Sequence, residues 1–189
     1  MRNAIVELLP EINWLDQAAL REAVITCYVE AMAAGGWQPQ DLDRMPFALA
    51  LDGCKVSYLR HTRAVTRMCR GILAEYNTIY LGQGGFRLDP DRLLAGALLH
   101  DIGKLLEWTE TPDGRFGKSE TGKLLRHPLS GAALALRNGI GYDIAHIIAY
   151  HSHEGDTAER SPEAEIVNKV DMMNFYSIRS QHFAKAGTD

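Results

Sequence analysis

Apolar residues recur along this chain at helical rather than strand spacing. Between Asp16 and Ala34, the residues Leu20, Ala23/Val24, Cys27 and Ala31 form one stripe, with Asp16 as the predicted cap and Gly35-Gly36 as the stop. Trp37 to Pro46 holds two prolines with Asp41 and Asp43 and reads as loop. A second long helix is predicted over 55–81. There Val65, Met68 and Ile72 stand at +4, +7 and +11 from His61 and put that histidine on a buried stripe. Gly82 to Phe86 is a glycine-rich turn, too short and wrongly ordered for a phosphate loop.

Asp89-Pro90 predicts a helix start, a capping oxygen with proline at the first helical position. Leu93, Ala97 and His100 follow on one face, and Asp101 is turned roughly 100° from His100. Gly103 reads as a sharp exit and Lys104 as a mobile cation behind it. Residues 109–121 are polar, and Pro112-Asp113-Gly114 predicts the tip of a small hairpin over about 109–117. Helical character resumes over 124–138, with His127-Pro128 near its start and Asn138-Gly139 as its end. Ile144, Ile147/Ile148 and His151 repeat the apolar-then-histidine pattern before Ser152, His153, Glu154 and Gly155 end that helix. Ser161-Pro162-Glu163 starts the last one, whose inner face carries Val167, Val170, Asp171 and Asn174.

Composition narrows the class. The 189 residues allow one domain with a substantial core, and 46% hydrophobic with 23% charged residues is ordinary for a globular protein. A net charge of -4 without a basic block argues against general nucleic-acid binding, though not against a nucleotide. Cys27, Cys54 and Cys69 form no C-x-x-C and read as reduced thiols. The start of the chain carries Glu7 and Pro10 and is a poor signal peptide, and no apolar run reaches membrane-spanning length. The expected location is the cytoplasm.

A lone histidine on an apolar face is ordinary, and an Asp between Val170 and Met172 can be a buried ion pair. Several predicted helices that each bring a His or Asp to the inner face make a different pattern, because bare polar groups are costly to bury. Imidazole and carboxylate together suit a divalent transition metal.

The ordered segments RHTRAV, LLHDIGK, RHPLSGA, AYHSHEGD and VNKVDMM resemble the HD-domain superfamily of metal-dependent phosphohydrolases over roughly 55–178. The resemblance implies an all-α helical bundle over 51–189, with 1–50 as a helical extension that packs on it or makes a dimer contact. It implies a site of His61, His100, Asp101 and Asp171. His127 and His151 resemble the subgroups with two ions (Fe, Mn or similar), Asp101 bridging the pair and His153 competing with His151. A bridging water that loses its proton would attack phosphorus. Asp101 and Lys104 would serve catalysis, the lysine by stabilising charge on the phosphoryl group. Arg60, Arg63, Arg126 and Lys123 flank the ligands as candidate phosphate contacts.

Glu154-Gly155-Asp156 departs from the Gly-Tyr-Pro motif of the HD-GYP members, so a cyclic dinucleotide is not the expected substrate. A nucleotide or other phosphate ester is. The same ligand set resembles that of HD-type di-iron oxygenases, which cleave C–P or C–C bonds, and a non-catalytic metal-binding signalling module is a third reading. No membrane partner is expected.

Overall fold

The structure is a computed structural model and describes residues 1–186. Its first part is α1 (Arg2–Leu8), a 3-10 turn (Pro10–Trp14), α2 (Ala18–Gly35) and a second 3-10 turn (Pro39–Asp43). The helix expected from Asp16 begins later. Gln17 precedes its first residue and no side chain caps it, while the amides of Asp16 and Gln17 donate at 2.6 and 3.0 Å to the carboxylate of Asp91, which anchors the chain's entry into the helix. Gly36 ends α2 at φ 76°, a left-handed position that suits glycine.

The bundle follows as α3 (Tyr58–Ile79), α4 (Pro90–Leu99) and α5 (Lys104–Glu107). Strands β1 (Trp108–Glu110) and β2 (Phe116–Lys118) pair antiparallel, with Trp108 opposite Lys118. Then come α6 (Glu120–Leu124), α7 (His127–Arg137), α8 (Tyr142–Tyr150) and α9 (Pro162–Ala186). Ser57 caps α3 by accepting from Arg60 N at 3.2 Å, and Asp89 caps α4 by accepting from Arg92 N at 2.9 Å. The helix expected over 124–138 is α7 and begins three residues later: Leu125 and Arg126 adopt extended backbone, and the short α6 before them occupies part of the stretch expected to be loop. The break lets His127 open α7 with Pro128 in its first turn, where no amide partner is lost.

One apolar core joins residues from Ile5 through Val170, so the N-terminal helices and the bundle share it. Buried polar bonds tie them further: Tyr28 Oη donates to Leu98 O at 2.6 Å and Trp37 Nε1 to Leu105 O at 2.8 Å. Glu11, fully buried, receives Arg63 and Arg67 at 3.0 and 3.2 Å. The stripe on α3 is rotated from the expected one. Tyr58, Thr62, Val65, Cys69 and Leu73 are buried, whereas Met68 and Ile72 are 43% and 37% exposed. His61 therefore stands at the edge of the buried face, not at its centre, and an edge position is what opens it to a cleft. Among the described residues no helix is long and apolar enough to cross a membrane.

Candidate metal centre and its pocket

His61 comes from α3, His127 from the first residue of α7 and Asp171 from α9. His100 and Asp101 follow the last residue of α4, and His151 follows that of α8. All six are buried. Asp101 divides the set. Its Oδ2 lies 3.3 Å from His100 Nε2 and 3.6 Å from His61 Nε2, while its Oδ1 lies 3.4 Å from His127 Nε2 and 3.6 Å from His151 Nε2. Asp171 Oδ1 closes the first group, 3.0 Å from His61 Nε2 and 4.0 Å from His100 Nε2. His61, His100 and Asp101 can hold one ion, and Asp101, His127 and His151 a second.

Three imidazoles are fixed from behind. His100 Nδ1 meets Ala97 O, His151 Nδ1 meets Ile148 O and His127 Nδ1 meets Glu107 Oε2, each at 2.7 Å. When a neutral imidazole donates from Nδ1, its Nε2 lone pair is free, and here each points toward Asp101. Burial pushes His127 down to about 4, against the opposing pull of Glu107 and Asp101, so that ring is neutral at pH 7. Burial opposes charge on Asp101 too, but Lys104 and His100 more than offset it and hold the carboxyl well below its usual range. Burial would lower His100, but Asp101 outweighs it and shifts that ring up; an ion would take the place of the proton on Nε2. Neutral nitrogens and a carboxylate aimed at common points are the donor set of a divalent transition metal. The residues present fit such an ion.

Lys104 departs from expectation. It is buried rather than mobile, and donates to Asp101 Oδ2 at 2.6 Å and Phe47 O at 2.7 Å. Gly103 also serves another purpose than a sharp exit. Its φ is an ordinary -65°, and a Cβ on it would stand 2.1 Å from His127 O, so glycine lets the two backbones meet. His153 lies outside the cluster, its side chain 64% exposed and 2.7 Å from Arg126 Nη1.

Five of the six, all but the fully buried His100, line a cavity of about 470 Å³. One wall is apolar, from Phe47, Ala48 and Leu49 with Met172, Phe175 and Tyr176; the other carries Lys118 and Arg126. Of the candidate phosphate contacts, only Arg126 lines it. Arg60 pairs with Asp43 at 3.2 Å and Lys123 with Glu120 at 2.6 Å, and Arg63 is spent on Glu11. Glu107, Lys118 and the wall at 47–49 were absent from the sequence expectation. Only Glu107 left a trace, a carboxylate set between Leu106 and Trp108.

A family model described as HD domain matches residues 58–173. The chain belongs to the HD-domain family. No curated protein and no solved structure matches it. HD domains bind divalent metals and form a superfamily of metal-dependent phosphohydrolase type. Both His/Asp groups lie inside the HD span. The apolar pocket wall at 47–49, by contrast, is supplied from before the HD domain begins, and Phe175 and Tyr176 from after it ends.

Proposed function

We propose that this chain is a phosphohydrolase with two divalent transition-metal ions, acting on a small phosphate ester such as a nucleotide. His61, His100, Asp101 and Asp171 would hold one ion, and Asp101, His127 and His151 the other. The observation that carries the reading is the division of Asp101. One buried carboxylate presents each oxygen to a separate pair of imidazole nitrogens, all within 3.3–3.6 Å. A bound pair of ions supplies an activated water and draws in phosphoryl oxygens.

The chain's own residues supply the rest. Lys104 adds fixed positive charge beside Asp101, where a transferring phosphoryl group accumulates negative charge. Arg126, whose Nη1 also meets Glu154 at 3.1 Å, and Lys118 offer donors for the remaining phosphate oxygens. The apolar wall of Phe47, Leu49 and Phe175 favours an ester whose organic part is flat or apolar, and it excludes water from one side of the site.

The test is elemental analysis of protein purified without chelator, with phosphate release from p-nitrophenyl phosphate and nucleoside monophosphates. Near two metals per chain with phosphate release supports the proposal. Oxygen consumption by an iron-loaded protein that releases no phosphate overturns it in favour of an oxygenase. No metal, even after reconstitution, overturns it in favour of a binding module.

A further inference from the structure

The two ligand groups are unequal in carboxylates. The first has Asp101 Oδ2 and Asp171, whereas the second has only Asp101 Oδ1 with two imidazoles. A carboxylate does stand behind the second group. Glu107, at the end of α5 and 3% exposed, accepts from both the backbone amide and Nδ1 of His127, each at 2.7 Å, through the same Oε2. Its other oxygen lies 3.4 Å from Lys118 Nζ, which the pairing of Trp108 with Lys118 brings alongside.

We propose that Glu107 is a positioning residue that secures the second ion through His127. It rests on the two-ion reading above. Both hydrogen bonds end on one oxygen, so Glu107 fixes the ring relative to its own backbone and not merely its tautomer. Its negative charge, one ring removed from the ion, does for the second group what Asp171 does directly for the first. Carboxylates placed behind a ligating histidine typically change metal affinity by about 10–100-fold. Lys118 acts in the opposite sense, since it neutralises part of that charge.

The experiment is calorimetric titration of chelator-stripped protein with Mn²⁺. Wild type is expected to show two binding events. Glu107→Gln keeps an acceptor for His127 but loses the charge; one event should persist and the other weaken by about 10–100-fold. Lys118→Met, at a half-exposed side chain that threatens folding little, should leave the weaker event as tight as wild type or tighter. Two unchanged events in Glu107→Gln, equal weakening of both, or loosening in Lys118→Met would overturn the inference while leaving the two-ion reading standing. Wild type that takes up no Mn²⁺ overturns that reading itself, and this inference with it.

Discussion

Lys104 Nζ rests 2.6 Å from Asp101 Oδ2, the same oxygen that faces His61 and His100. The first ligand group therefore already has a cation at its edge, locked by a second bond to Phe47 O. A carboxylate oxygen has two lone pairs, so one can serve the ammonium and the other an ion. The lysine is thereby a preorganised charge that needs no reorganisation when the phosphoryl group arrives.

Lys104→Met should therefore lower kcat by about 100-fold, the scale of removing one preorganised donor, while the protein still loads its metals. Removing a cation from beside Asp101 relieves competition for that carboxylate. Loss of metal in this variant would show instead that Lys104 supports the ligand geometry. Steady-state rates with elemental analysis separate the two.

Stripping and restoring metal should be visible in stability. An ion that binds only the folded chain adds about 2.7 kcal/mol when present at 100 times its Kd. For a chain of this length that corresponds to a rise in Tm of roughly 5–10 °C per ion. Asp101→Asn, which removes the charge shared by both groups, should abolish the rise. Calorimetric scans with and without Mn²⁺ check this.

His61, His100, His151 and Asp171 were legible because each falls on an apolar helical stripe, where burial has to be compensated, whereas Asp101 and His127 were marked only by the ordered motifs around them. Side-chain facing on α3 was less legible. Arg60 and Arg63 flank His61 in sequence, but at 100° per residue their side chains leave its face, and Arg63 at +2 is turned to Glu11 of the N-terminal turn. Met68 keeps His61's facing, yet that facing is the edge of the buried strip. The apolar pocket wall was not legible at all, since Phe47 to Leu49 lie in a loop whose path is set by tertiary packing and not by periodicity. Glu107 needed the break before His127, which only the fold reveals.

Arg63 and Arg126 thus part company. Arg63→Met should lower Tm by a few degrees, because Glu11 is fully buried and keeps only Arg67, and it should leave KM unchanged. Arg126→Ala should raise KM by roughly 10-fold, the worth of one charged hydrogen bond. A KM effect from Arg63→Met would contradict its placement on Glu11. Melting curves and steady-state kinetics on both variants are sufficient.

Gly103 offers the sharpest link between packing and site. A Cβ there would meet His127 O at 2.1 Å and Gly131 N at 2.8 Å, both backbone atoms that cannot turn aside as a side chain can. Relief requires α7 to shift, and α7 carries His127 as its first residue. Gly103→Ala should therefore lose on the order of 3 kcal/mol, or roughly 6–12 °C in Tm, and should also weaken one of the two Mn²⁺ binding events. Gly71→Ala supplies the contrast. That glycine lies within α3 with nothing within 4 Å of an added Cβ, so helix propensity alone predicts a gain of about 1 kcal/mol. If Gly103→Ala melts with wild type and binds both ions, then α7 has freedom that its packing against the turn after α4 does not suggest, and the geometry of the second ligand group would not depend on that close approach.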